Sequence, residues 1–333
     1  LKRSLLAGVE PEKIIFEGVG KSKEDILFAI ENKIRLINIE SFEELNQINL
    51  LANSINKNVD VGVRINPNID SGTLDQISTG KKTDKFGIGI QELDQIIANL
   101  RKANNLNLIG ISCHVGSQIS STDVFKKIFI NMKETAQKLK DTGLSIKHLN
   151  LGGGFSIKYN PEDPSLNLDN LKKIISFNFK NVPYSLSFEP GRFLVAESGL
   201  IITKIINTKK NGGVNYLITD AGMNTLIRPS LYKIPHQVEA LNHSSNQNIQ
   251  YTIGGPICES SDIMARNINL PEQKIGDYLI IKDAGAYGSV MASNYNSRDL
   301  PAEMLVNKSS IAIIHKPQKI EERINQDFIP TWL

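Results

Sequence analysis

The sequence predicts an α/β chain: a (β/α)8 barrel of the TIM type, whose first two strands are expected to precede residue 1, followed by a mostly β C-terminal domain. Three observations predict it. Strand-like and helix-like segments alternate from Ile14 to about Arg192. Polar residues or glycines stand at the C-terminal end of strand after strand. Beyond Arg192 the helices thin out and β-branched runs take over.

The alternation opens with Ile14–Gly18 as a strand and Lys21–Asn32 as an amphipathic helix with Ser22 at its N-cap. Leu36–Glu40 is the next strand. The helix over Ser41–Asn53 carries the capping-box pair Ser41 and Glu44. Strands follow at Val59–Ile65, Ile109–Val115, Lys147–Leu151 and Tyr184–Glu189, with helices near Gln91–Lys102, Phe125–Asp141 and 168–180. Such units argue for parallel strands and right-handed crossovers. Glu17-Gly18, Asn38 and Glu40, Arg64–Asn66, His114, Gly152–Gly154 and Glu189–Arg192 mark the strand ends. A barrel gathers all such ends on one face, whereas an open sheet uses only the crevice at its switch point, so the spread favours the barrel. Domain boundaries follow at 1–195 and 196–333.

In the second domain Gly199–Ile206, Val214–Asp220, His236–Leu241, Ile249–Ile253, Tyr278–Lys282 and Ser310–His315 read as strands. Asn211-Gly212-Gly213 is a hairpin turn. Lys319–Gln326 reads as a short helix, and Leu1–Ala7 as the end of one stopped by Gly8.

Composition excludes several classes. The 333 residues are 40% hydrophobic and 22% charged with net charge +3, which fits an ordinary globular chain and not a nucleic-acid-binding surface. No apolar run has the length of a membrane span. Cys113 and Cys258 are the only cysteines, which suggests a reducing, cytoplasmic setting. Neither nucleic acid nor membrane is therefore expected as a partner.

Chemistry concentrates in five clusters: Ser112–Ser117, Leu151–Phe155, Glu189–Arg192, Gly255–Asp262 and Asp283–Gly288. Three glycines closing a strand serve either a tight turn or a bare backbone cradle for an anion. Gly191 could extend such a cradle, and Ser117 could add a hydroxyl. Glu189 puts a carboxylate at a strand end, and Arg192 offers a fork for a carboxylate. Each has a plain structural alternative: a hydrogen-bonded histidine, a surface turn at Glu189–Arg192, a buried thiol at Cys258, a packed ring at Tyr287.

Taken together, the motifs resemble the alanine-racemase-type, fold-type III, pyridoxal-phosphate decarboxylases, and within them the branch acting on diaminopimelate. The resemblance spans nearly the whole chain, through Gly18–Lys21, Asn38–Ser41, Arg64–Pro67, Lys85–Gly87, His114–Ser117, Gly152–Gly154, Glu189–Arg192, Asp220–Asn224, Arg228–Tyr232 and Cys258–Asp262. It implies a homodimer with shared sites, pyridoxal 5′-phosphate as cofactor, and conversion of meso-2,6-diaminopimelate to L-lysine. By this resemblance Ser117, Gly153, Gly154, Pro190, Gly191 and Arg192 would line the cofactor, largely at its phosphate. His114 would stack on the ring, and Glu189 would pair with the pyridine nitrogen, making the ring a stronger electron sink. Arg192, Arg228 and Tyr232 would hold the distal end of the substrate, and Tyr287 would lie against the cofactor. Cys258 would return a proton to carbon and Glu259 would bind the distal ammonium, both from the partner subunit. No segment matches the Tyr-Ala-x-Lys-Ala-Asn context of the family's Schiff-base lysine, so by this resemblance the 333 residues alone lack the covalent anchor. An ornithine or arginine decarboxylase and a non-catalytic homologue are the other readings.

Overall fold

Buried apolar strands, paired in the order in which they are made, form the first sheet. The computed structural model describes residues 1–241 and 247–332. The helix α1 (Lys2–Leu6) precedes β1 (Ile15–Phe16), α2 (Lys23–Glu31), β2 (Leu36–Ile39), α3 (Phe42–Ser54), β3 (Val59–Asn66) and β4 (Ile88–Gly89). The series continues with α4 (Leu93–Leu100), β5 (Leu106–Ser112), α5 (Thr122–Asp141), β6 (His148–Gly153), α6 (Leu168–Asn178), β7 (Ser185–Glu189) and α7 (Gly191–Val195). The parallel path runs β1-β2-β3-β5-β6-β7, with β4 paired to β3. A doubly wound sheet would double back at a switch point, and this path does not. It is the wall of a barrel, and the expected fold class holds. Every residue of β2 is buried, as strands covered on both faces must be. On α5 the buried positions Phe125, Ile128, Phe129, Met132, Ala136 and Leu139 follow helical spacing and turn one face to the core.

Local signals meet their tertiary limits at the edges of these elements. Ser22 caps α2 with a full capping box, closed by Asp25. The expected Ser41–Glu44 box forms only by half. Ser41 accepts from the Glu44 N–H, but the Glu44 carboxylate turns to Lys21 at 2.7 Å and to the Glu40 N–H at 2.7 Å. Lys21 and the Glu40 N–H take one oxygen each, so the Ser41 N–H goes without the Glu44 carboxylate.

The chain divides into two compact units, residues 1–157 with 164–191, and residues 158–163 with 192–333. The second unit is built on a six-stranded sheet. Its strands are β8 (Ile201–Asn211), β9 (Val214–Thr219), β10 (Val238–Ala240), β11 (Asn248–Gly254), β12 (Ile263–Pro271) and β13 (Tyr278–Ile281), in the order β10-β13-β8-β9-β11-β12. The helix α8 (Arg228–Tyr232) interrupts them. All pairs but β9–β11 are antiparallel. Gly212 and Gly213, both at positive φ, close the β8–β9 hairpin as expected. Ile205, Leu217, Tyr251, Ile253, Met264 and Leu279 lie in its core. A separate hairpin, β14 (Glu303–Asn307) with β15 (Ser310–His315), and the short helix α9 (Ile320–Ile324) complete the unit. β12 and β14 carry no alternation strong enough to find in the sequence. No helix among the described residues is long and apolar enough to cross a membrane.

Candidate active site

In the barrel unit the polar groups do collect where the strands end. Glu17 follows β1, Glu40 follows β2, and Glu189 closes β7. Arg64, from β3, stands 3.4 Å from Glu40 and 4.0 Å from Glu17, with its guanidinium over the Phe86 ring at 4.9 Å. Glu40 also accepts from the Gly18 and Gly87 N–H groups, and Glu17 from the Asn38 amide. Three carboxylates thus belong to one electrostatic neighbourhood that holds one arginine.

Glu189 feels this most. Burial, then repulsion from Glu17, drives its carboxyl up to about 7, against the Asn150 amide, which donates to it at 2.5 Å, and against Arg64. Although β7 is an edge strand that leaves Glu189 solvent access, protein atoms crowd the carboxyl closely enough to desolvate it. A carboxylate held in such a field is stabilised by any incoming cationic N–H. His114 has the opposite bias. Burial and Arg64 hold its imidazole down at about 4, so it is neutral at pH 7. Its Nδ1 accepts from the Gly153 N–H at 3.1 Å, which places the ring proton on Nε2.

The glycine triplet meets the turn reading in part, since Gly152 and Gly154 hold positive φ at 71° and 82°. β6 continues through Gly152 and Gly153. A Cβ on Gly153 would stand 1.8 Å from the Glu189 carbonyl oxygen, and one on Gly152 2.2 Å from the Cys113 oxygen. The Gly152 N–H bonds Asn150 Oδ1, and the Gly153 N–H bonds His114. Two of the three amides are therefore used internally. Gly154 and Gly191 have no such internal acceptor among the described residues, and around Gly191 a Cβ would meet nothing within 4 Å. These two amides are what the backbone can offer an anion. Phe155, just past the glycines, and Phe188, just before Glu189, pack on the Phe125–Phe129 cluster and fix both strand ends to the core.

The β-rich unit carries the cationic cluster. Arg192 Nη1 donates to the Tyr159 hydroxyl at 2.7 Å, and its guanidinium lies over the Tyr287 ring at 4.8 Å. Arg228 is only 1% exposed and lies over Tyr159 at 4.5 Å and Tyr232 at 5.7 Å. Its Nε meets His236 Nε2 at 3.4 Å, while His236 Nδ1 donates to the Lys282 carbonyl at 2.8 Å. Burial and both arginines hold His236 at about 4, hence neutral and able to accept. Among the described residues Arg228 Nη1 has no hydrogen-bond partner. Among the described residues the charged and phenolic groups that act on Arg228 are Tyr159, Arg192, Tyr232 and Tyr287, with no carboxylate. A buried cation left this way is costly unless an anion completes it.

Cys258 is exposed and free, while Cys113 is buried and pushed up to about 12, too weak an acid to take part. Beside Cys258, both oxygens of Glu259 are held, one by the Tyr295 hydroxyl and one by Ser261 Oγ at 2.8 Å, which lowers its pKa. Asp262 shapes this loop, accepting from the Met223 and Ile257 N–H groups at 2.7 Å each.

Sequence reasoning missed Tyr159, Tyr295 and His236. None lies in a glycine-rich or charged motif; only packing reveals them. Asp262 was within a noted motif but without a role. Ser117 and Tyr287 stand in their expected units, Tyr287 at a φ of 56° that a bulky residue rarely holds.

Comparison with known proteins adds to this geometry. Residues 1–196 match the family described as "Pyridoxal-dependent decarboxylase, pyridoxal binding domain". The chain is 38% identical over 336 residues to diaminopimelate decarboxylase of Zymomonas mobilis, covering 100% of this chain and 79% of the relative. To the enzyme of Aquifex aeolicus it is 36% identical over 323 residues, 97% of this chain and 76% of the relative. Among solved structures, diaminopimelate decarboxylase from Helicobacter pylori complexed with L-lysine superposes with a TM-score of 0.93 at 35% identity, covering 98% of this chain and 82% of that one.

Proposed function

Because the chain belongs to the pyridoxal-dependent decarboxylases, we propose that it removes CO2 from meso-2,6-diaminopimelate to yield L-lysine, with pyridoxal 5′-phosphate as cofactor. The bound cofactor would supply the electron sink for the bond that loses CO2. The barrel unit's residues fit that group. Glu189, in its acidic neighbourhood, would accept from a protonated ring nitrogen, neutral His114 would present a flat uncharged face, and the free amides of Gly154 and Gly191 would meet phosphate oxygens. Ser117, Pro190, Arg192 and Tyr287 would complete the cofactor's surroundings.

The observation that carries the substrate assignment is the Arg192–Arg228 pair, with Arg228 buried and its Nη1 unpartnered. Diaminopimelate keeps a second carboxylate away from the reacting one. Ornithine and arginine have none, so they would leave Arg228 uncompensated. Tyr232 would flank the same carboxylate. Glu259, held ionised, would take the distal ammonium, and Cys258 would return the proton to carbon. We place the reaction in the cytoplasm, where two free thiols persist, and in a homodimer whose subunits exchange Cys258 and Glu259.

The test is CO2 release by the holoenzyme from meso-diaminopimelate, ornithine and arginine. Diaminopimelate should be preferred by at least about 1,000-fold, and Arg228→Met should lose roughly 100-fold in kcat/KM on it. Comparable turnover of ornithine would overturn the assignment.

A further inference from the structure

We propose that Tyr159 is a positioning residue for specificity: it holds Arg192 and Arg228 apart and aligned so that together they grip a carboxylate. The proposal rests on the reading that these arginines receive the substrate's distal carboxylate.

Two guanidinium groups brought together repel, and burial raises that repulsion. Arg192 indeed works against the charge of Arg228. Tyr159 offsets this with both of its faces of chemistry. Its hydroxyl accepts from Arg192 Nη1 at 2.7 Å, and its ring lies under Arg228 at 4.5 Å and, more remotely, Arg192 at 5.9 Å. His236 closes the ring's flank edge-on at 4.8 Å and takes up Arg228 Nε. With Nε engaged and the plane stacked, Arg228 keeps Nη1 for a ligand.

Tyr159 is itself fixed. It is 1% exposed, and Asp163 Oδ2 accepts from both the Tyr159 and Asn160 N–H groups at 2.9 Å. The segment 158–163 belongs to the β-rich unit although its neighbours in sequence, 157 and 164, belong to the barrel unit. Within that unit this short turn sets one tyrosine against both arginines.

Titration calorimetry of the holoenzyme with L-lysine and with 1,5-diaminopentane tests this. L-Lysine carries the carboxylate in question, and the diamine lacks it. Tyr159→Phe, which removes only the hydroxyl, should weaken L-lysine about tenfold and leave the diamine within about twofold. Tyr159→Leu, which also removes the ring, should weaken L-lysine roughly 100-fold, again sparing the diamine. Asp163→Ala should reproduce the Phe variant's selectivity change in milder form. If Tyr159→Phe binds both ligands as the parent does, or weakens both equally, the positioning role is wrong. Arg228→Met separates the two readings. If it spares L-lysine as well, the carboxylate assignment itself fails; if it weakens L-lysine while Tyr159→Phe does not, only the role of Tyr159 fails. Should Tyr159→Leu not fold, the Phe variant alone decides.

Discussion

Glu189 is the residue at which stability and chemistry pull apart. Its ordinary value is 4.5, and the folded protein raises it to about 7. Between those two values the unfolded chain has released a proton that the folded one retains, so the cofactor-free protein loses stability as pH rises through that window. Glu189→Gln removes the titration. Cofactor-free Glu189→Gln should melt higher than the parent at pH 8 and equally at pH 4.5, while the holoenzyme variant should lose roughly 100-fold in kcat. Equal melting at both pH values would mean that Glu189 is not held against its charge. At this scale the sequence was partly legible. Glu189 was visible because a carboxylate closing a strand before Pro-Gly-Arg is a recognisable pattern. Tyr159 was not, because its role depends on Arg228, 69 positions away by number (228 − 159), and no local pattern records that pairing.

Among the elements, the end of β6 shows what a glycine is for. Its triplet suggested a turn or a cradle, yet Gly153 is needed because β6 passes too close to the Glu189 carbonyl for any Cβ. Gly191, in open space, has no such demand. Gly153→Ala should therefore push β6 from β7, costing on the order of 3 kcal/mol or more in urea unfolding, and should disturb His114 through its lost hydrogen bond. Gly191→Ala should unfold like the parent. If the two variants were equally stable, the close approach would not be the reason for the triplet. The strand before His114 moved for a related reason. It was expected over 109–115 but spans Leu106–Ser112, because β5 pairs with β3 from Val59 onward and leaves Cys113 and His114 to curve toward the glycines. Alternation identifies a strand, and its partner sets where pairing stops.

For the whole molecule, the proposed dimer makes its own prediction. Holoenzymes carrying Arg192→Ala or Cys258→Ala should each be nearly inactive. If the two residues serve one site from different subunits, mixing with subunit exchange should restore about a quarter of the parental activity, since half the random pairs are mixed and each has one intact site. No recovery after exchange is verified by mass would place both residues in one subunit's site.

The sequence by itself determined the barrel type, the β-rich second half and nearly every group named at the strand ends, because period, capping and the chemistry of motifs are local properties. Tertiary structure alone decided which glycine amides remain for a ligand, which histidines stay neutral, and that Arg228 is buried with Nη1 unpartnered. Those are properties of desolvation and of distance between residues far apart in the chain. A sequence names the charges, but only the packed molecule determines which of them have lost their water and which face a partner.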